Sequence, residues 1–228
     1  MKRFLSILLC ALMIAALGAP ALALPYARTT EELETMEAMM RADMLNRLGL
    51  FRGKPEGFAL EDGVTRAQAI TMLVRFLGAE GEAMLSSVGS PFTDVPQSHW
   101  AVAYTTYAKL HGITEGTSET TFSPEDPVTG PQLAKLILSA LGYEGVTLQN
   151  VYAKGIGAQL LVNRPLKNAV LNDKKLTRAD LVGFFHAALL AKTAGGGLAS
   201  ETRIESGVFT QDEFDTVLTA EYNGTAEP

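Results

Sequence analysis

Two arginines stand where a cation gains nothing from its helix. Arg66 and Arg178 each follow a threonine that opens a segment of helical apolar spacing, in the runs Thr65-Arg66-Ala67-Gln68 and Thr177-Arg178-Ala179-Asp180. The first helical position lies at the positive end of the macrodipole, so a guanidinium there costs roughly a few tenths of a kcal/mol. That place does suit an anion, because backbone N–H groups and a bidentate fork can converge on one carboxylate or phosphate. The recurrence points to anion binding over the alternative of a solvated surface arginine. A third run, Thr129-Gly130-Pro131-Gln132, has glycine in the arginine's place, and a site there is expected to be weak or dead. Near Arg178 the charge is locally basic: Arg164, Lys167, Lys174 and Lys175 surround a single Asp173. This is either a patch for an anionic polymer or a solvated loop.

The elements that must position these residues recur with them. Phe58 precedes Thr65 by seven residues, Phe122 precedes Thr129 by seven, and Val170 precedes Thr177 by seven, in the stretches FALEDGVTRAQ, FSPEDPVTGPQ and VLNDKKLTRAD. One unit of this size cannot bury its own apolar face, so the repetition implies stacked units. Each threonine places a hydroxyl at an N-cap with Gln68, Gln132 or Asp180 three residues on, and capping alone explains those residue types. The pattern predicts a helix from Thr29, with Glu32 completing a capping box, to Gly49, with Leu33, Met36, Met40, Met44 and Leu48 on one face. A glycine-rich loop and a second helix from Thr65 to Gly78 complete the first unit. The second unit pairs a helix from Ser98 to Gly112, carrying Trp100, Ala103, Tyr104, Tyr107 and His111 on one face, with a helix from Thr129 to Gly142. In the third, 150–161 and the segment after Thr177 play these parts, with Gly155 and Gly157 weakening the first helix. Residues 79–91 read as a connector, Ser200 to Glu205 and Thr210 to Leu218 as short helices, and Thr219 onward as a polar tail. The fold class is mainly α.

Residues 1–23 have the form of a secretory signal peptide: Lys2 and Arg3, an apolar run from Phe4 to Leu17, then Ala21-Leu22-Ala23, with cleavage near Ala23. The apolar run is too short for a membrane span, and no span is expected in the mature chain. Cys10, inside that run, is the only cysteine, so the mature protein has no thiol for a disulfide, a metal or a nucleophile. Losing Lys2 and Arg3 takes the 19 basic residues to 17 against 25 acidic ones, a net charge of −8. Wholesale nucleic-acid binding is thereby disfavoured. His99, His111 and His186 have no metal-ligand spacing, Gly155-Ile156-Gly157 lacks the third glycine of a dinucleotide fingerprint, and there is no G-x-S-x-G. No cofactor or metal is expected, and no enzyme activity, although paired carboxylates of a glycosidase could come from any of the acidic residues.

The run Phe92-Thr93-Asp94-Val95-Pro96, His99-Trp100-Ala101, Gly112-Ile113, Gly116, Phe122, Pro124 and Val128-Thr129 resembles the S-layer homology repeat, and TRAQ and TRAD resemble that family's signature. The resemblance covers roughly residues 34–193. It implies three helix-loop-helix repeats (29–78, 92–143 and a degenerate 148–193) in a pseudo-threefold prism; the short helices and polar tail at 198–228 lie beyond it. It also implies a secreted protein at the cell wall, bound noncovalently to a secondary cell-wall polysaccharide that carries a pyruvate ketal and is attached to peptidoglycan. Arg66 and Arg178, with Thr65, Thr177, Gln68, Asp180, Asp94, Trp100, Lys174 and Lys175, are the candidate ligand-binding residues. Asp94 could instead fix a turn, and Trp100 could instead be core. Two other functions stay open: an envelope scaffold with a protein partner, and a wall-remodelling hydrolase. Because the second signature lacks its arginine and the third unit lacks Phe-x-Asp-Val-Pro and tryptophan, two arginine-bearing grooves are expected.

Overall fold

The computed structural model describes residues 29–85 and 89–223. The proposed signal peptide lies outside the described residues. Ten helices are described: α1 (Thr30–Arg47), α2 (Arg66–Phe76), α3 (Glu80–Leu85), α4 (Val102–Leu110), α5 (Gly130–Ala140), α6 (Val151–Gly157), α7 (Arg164–Leu171), α8 (Arg178–Leu190), α9 (Ala199–Glu205) and α10 (Gln211–Asn223). None of them is long and apolar enough to cross a membrane. The chain divides into residues 1–34 and a compact unit of residues 35–228. Of the first, residues 29–34 are described. They form the opening turn of α1, where Glu32 N–H donates to Thr29 Oγ1 at 3.1 Å and Thr29 N–H to Glu32 Oε2 at 2.7 Å.

In the compact unit the three helices that begin at the repeated threonines, α2, α5 and α8, carry the core. Ile70, Leu73 and Phe76 of α2, Leu133, Ile137 and Leu138 of α5, and Phe184 and Phe185 of α8 are fully buried. Phe76 and Phe185 meet edge to face at 5.6 Å. Burying each such ring contributes about 2–3 kcal/mol. Each central helix packs against a helix of the segment that comes next in the chain: α2 against α4 of the second repeat, α5 against α6 of the third, and α8 against α9. The C-terminal pair is thus part of the bundle. Arg203 of α9 is buried and its Nη1 donates to Phe76 O at 3.5 Å, while Phe209, Phe214 and Val217 are buried with the core. The predicted capping box holds α10 at its start, with Thr210 N–H donating to Glu213 Oε2 at 2.7 Å and Glu213 N–H to Thr210 Oγ1 at 3.2 Å. The helix runs on to Asn223 where a tail from Thr219 is predicted.

Three-way symmetry is written in the backbone between repeats. Val64 N–H donates to Leu176 O (3.0 Å), Leu176 N–H to Val128 O (3.0 Å) and Val128 N–H to Val64 O (2.9 Å), a closed ring. A second ring lies beside it: Arg66 N–H to Asp126 O (2.9 Å), Gly130 N–H to Lys174 O (2.9 Å) and Arg178 N–H to Asp62 O (2.8 Å). Ala67 N–H to Pro124 O and Ala179 N–H to Leu60 O, both 2.9 Å, belong to a third set. There Pro131 stands in the second repeat with no N–H to give.

The first helices of the repeats end alike. Leu50 and Phe51 N–H both donate to Leu45 O, Ile113 and Thr114 to Ala108 O, and Leu160 and Leu161 to Gly155 O. The residue before each pair is left-handed: Gly49 (φ 73°), Gly112 (φ 67°) and Gln159 (φ 59°). A side chain in that region costs about 1–2 kcal/mol. Gln159→Gly is therefore expected to stabilise by about 1 kcal/mol, raising Tm by roughly 2–4 °C in a thermal melt. Gly155 has a reason to be glycine, since a Cβ there would lie 2.8 Å from Leu161 Cγ and Cδ1.

Several elements differ from expectation. The helix predicted over 150–161 is confined to α6, and α3 occupies the stretch read as a connector. The residues after Asn163 form α7 rather than a loop: Asn163 Oδ1 accepts Leu166 N–H at 3.0 Å, Pro165 sits in the first turn, and Leu166, Ala169 and Val170 are buried. Met44 of α1 and Leu48 just past its end are buried as expected of a core face, whereas Leu33, Met36 and Met39 are exposed. The helix placed from Ser98 begins at Val102, because His99 N–H donates to Pro96 O (2.8 Å) and Val102 N–H to His99 O (3.0 Å), forming a turn ahead of it.

Candidate functional site

Arg66 and Arg178 are neither solvated nor poised over open helix amides. They are 6% and 8% exposed. The first-turn donors of their helices are already taken: the arginine and alanine N–H groups go to neighbouring-repeat carbonyls. The third donor goes to the cap, as Gln68 N–H to Thr65 Oγ1 and Asp180 N–H to Thr177 Oγ1, both 3.3 Å. Reciprocally, Gln68 Oε1 accepts Thr65 N–H at 3.1 Å and Asp180 Oδ2 accepts Thr177 N–H at 2.9 Å. Thr65 and Thr177 are thus caps. In the second repeat Gln132 Oε1 accepts Thr129 N–H at 3.2 Å, while Thr129 Oγ1 is buried without a partner.

The guanidinium groups tie repeats together. Arg66 Nε donates to Phe122 O at 2.8 Å and its Cζ lies 4.7 Å from the Phe122 ring centroid. Arg178 Nε donates to Phe58 O at 2.7 Å and Nη2 to Arg52 O at 2.9 Å, with Cζ 4.6 Å from the Phe51 centroid. Phe122 and Phe58 are the residues seven before the threonines, so each arginine grips the loop of the next repeat. Burial pushes both arginine pKa values down, opposed by Asp126 and Asp94 around Arg66 and by Asp62 and Glu56 around Arg178. Both remain cations, as guanidinium does in proteins. Asp94 fixes the gripped loop rather than its own turn: its carboxylate accepts Phe122 N–H at 2.9 Å and Ser123 N–H at 2.7 Å, holding Ser123 at φ 56°.

Each arginine lines a groove built from three repeats. One, of about 130 Å³, is lined by Arg178 of the third repeat, by Arg52, Gln68, Thr71 and Arg75 of the first, and by Trp100 of the second. Trp100, expected on a face shared with Ala103 and open to a core reading, is 54% exposed, because the turn before α4 carries it outward. Its ring stacks on His99 at 5.7 Å. His99 is held on both nitrogens: Nδ1 accepts Ala101 N–H and Nε2 faces Glu125 Oε1, each at 3.1 Å. The other groove, of about 240 Å³, is lined by Arg66 of the first repeat, by Thr114, Glu115, Gln132 and Lys135 of the second, and by the half-exposed Leu148 that leads into the third. Past Lys135 it adjoins a wider depression reaching Ser139 and Tyr143.

The third position is filled by the protein itself. A Cβ on Gly130 would lie 2.2 Å from Ala169 O and 2.9 Å from Val170 N, so the end of α7 takes the space an arginine would need. Lys174 and Lys175 lie away from the two arginine grooves. Lys174 Nζ pairs with Asp180 Oδ1 at 2.9 Å, and Lys175 pairs with Thr129 through the backbone. Of the candidate residues, Arg178, Gln68 and Trp100 converge on one groove and Arg66 lines the other; Thr65, Thr177, Asp180 and Asp94 act in the scaffold. Gln132, Lys135, Thr71 and Arg75 were absent from the sequence-derived candidates, although counting three, six and ten residues from each threonine reaches all four. No group of three or more metal-ligating side chains occurs among the described residues.

Residues 91–134 match the S-layer homology domain model. The chain is 35% identical over 128 residues to the middle cell wall protein of Brevibacillus brevis, covering 53% of this chain and 12% of the relative. It is 32% identical over 141 residues to the surface layer protein of Brevibacillus choshinensis, covering 58% and 13%. Over 84 residues it is 30% identical to the cellulosome-anchoring protein of Acetivibrio thermocellus, covering 36% and 19%. The matches thus span about an eighth to a fifth of these relatives' length.

Proposed function

With residues 91–134 an S-layer homology domain, we propose that this protein is a noncatalytic wall-binding module at the bacterial cell surface, holding an anionic, pyruvylated secondary polysaccharide noncovalently in its two arginine-lined grooves. The observation that carries the reading is the pairing of Trp100 with Arg178. An indole left half in water along a groove offers a face for the C–H side of a sugar, and the neighbouring cations suit a carboxylate. Relatives named for the cell wall, the surface layer and cellulosome anchoring support the location. Two grooves on one rigid unit can engage one polymer together, so modest single-site affinities combine. Soluble polysaccharide released from sacculi is expected to displace the protein from intact sacculi in a sedimentation assay. Protein that stays pelleted at saturating polysaccharide would contradict the reading.

A further inference from the structure

Trp100 owes its place along the groove to the histidine before it. The turn ahead of α4 carries the indole outward, and the His99 ring is built into that turn on both edges and one face. Nδ1 accepts Ala101 N–H and Nε2 meets Glu125 Oε1, each at 3.1 Å, while the ring stacks on Trp100 with 27° between the planes. An imidazole nitrogen accepts a hydrogen bond only while it carries no proton. The Ala101 bond therefore requires neutral His99 with its single proton on Nε2, donated to the Glu125 carboxylate. Glu125 stands in a loop that the first repeat holds fast, since Arg66 and Ala67 N–H donate to Asp126 O and Pro124 O and Arg66 Nε to Phe122 O. The ring thus fastens the Trp100 turn to a rigid segment.

This fastening is sensitive to one proton. Ala101 is fully buried, so water cannot replace Nδ1 as the acceptor of its N–H, and a buried donor is normally paired. A proton on Nδ1 would set two N–H donors against each other at 3.1 Å. Histidine is the side chain that ordinarily changes charge between about pH 5 and 8. On the two segments that the ring joins, the Asp94 carboxylate is taken by Phe122 and Ser123 N–H, Asp126 acts on Arg66, and Glu125 faces Nε2. Glu125 attracts an imidazolium, yet it holds the nitrogen that is protonated in both charge states, so it cannot restore the acceptor that Ala101 loses. Arg52, Arg75 and Arg178, which line the groove with Trp100, keep their charge throughout this range.

We propose that His99 is the positioning residue for Trp100 and makes its groove sensitive to pH. Neutral His99 holds the indole along the groove; protonation at Nδ1 opens the turn and releases it. The effect on the indole follows from the turn alone, whereas the effect on wall binding rests on the reading of the groove as a sugar site.

Trp100 is the only tryptophan of the chain, so intrinsic fluorescence reports on this turn directly. The test uses the full secreted chain between pH 5 and 8, with time-resolved tryptophan anisotropy to follow ring motion, sedimentation onto sacculi to follow binding, and far-UV circular dichroism to follow the fold. Wild-type protein is expected to show a freer indole and about fivefold weaker binding at pH 5 than at pH 7.5, with helicity unchanged. His99→Asn supplies an oxygen that can accept the N–H two residues on and does not titrate; it is expected to keep the neutral-pH anisotropy and binding across the range. His99→Leu, with no acceptor, is expected to show the acid values at every pH. Wild-type anisotropy that is flat with pH, a transition that persists in His99→Asn, equal values for the two variants, or loss of helicity together with the transition would overturn the assignment. If anisotropy behaves as expected and binding does not change with it, His99 still positions Trp100, and the sugar-site reading of the groove falls.

Discussion

Gly130→Ala is expected to destabilise the protein by about 3 kcal/mol, the upper end of ordinary overpacking, and Gly130→Arg to prevent folding. The added carbon would fall 2.2 Å from Ala169 O, and the contacted atoms are backbone at the end of α7, which cannot rotate aside. Leu166, Ala169 and Val170 are buried, so α7 cannot move without opening the core. Gly130 N–H also belongs to the inter-repeat ring through Lys174 O, and displacement would stretch that bond. Thermal denaturation followed by circular dichroism is expected to show Tm falling by roughly 10 °C for the alanine variant. A change of a degree or two would show that α7 is not wedged there. The missing third arginine is thus a packing requirement as well as a lost binding group, and restoring it cannot restore a groove.

Trp100→Ala is expected to weaken wall binding by about thirtyfold or more, the scale of an aromatic contact at the centre of an interface, while leaving Tm within roughly 2 °C. The combination is what makes it informative. Trp100 is half exposed and leaves the hydrogen bonds of its turn to the backbone of Pro96, His99 and Val102. Arg178→Ala cannot separate the two effects, because Arg178 also holds Phe58 O and Arg52 O and covers the Phe51 ring. Wall binding by Trp100→Ala equal to wild type in sedimentation titrations would remove the groove from the account.

What the sequence makes legible is local. A cap and its partner lie three residues apart, and a left-handed terminus asks for glycine within one turn, so α1, α2, α5, α8 and α10 are all readable from Thr29, Thr65, Thr129, Thr177 and Thr210. Asn163 with Pro165 is an equally local signal for α7, obscured by the basic residues that make the segment resemble a loop. The arginines are different, since their carbonyl partners lie 56 and 120 positions away in the chain. Reading Arg66 and Arg178 against their own helix dipoles finds an anion site. Only the neighbouring repeat shows that those amides are already donated and that the guanidinium groups serve as inter-repeat ties lining the grooves. Trp100 likewise depends on a turn of three residues ahead of α4, which moves the ring off the helical face that its spacing suggests. The Thr71 hydroxyl, buried without a hydrogen-bond partner, has no sequence signal, because a helical threonine can equally bond its own preceding turn, as Thr105 Oγ1 does by donating to Ala101 O and Val102 O.

Sedimentation of the purified protein with peptidoglycan sacculi, before and after the secondary polysaccharide is stripped away, tests the central claim most directly. Noncovalent binding in the two grooves predicts that the protein pellets with intact sacculi and stays in solution with stripped ones. Equal pelleting with both would show that the ligand is not the secondary polymer.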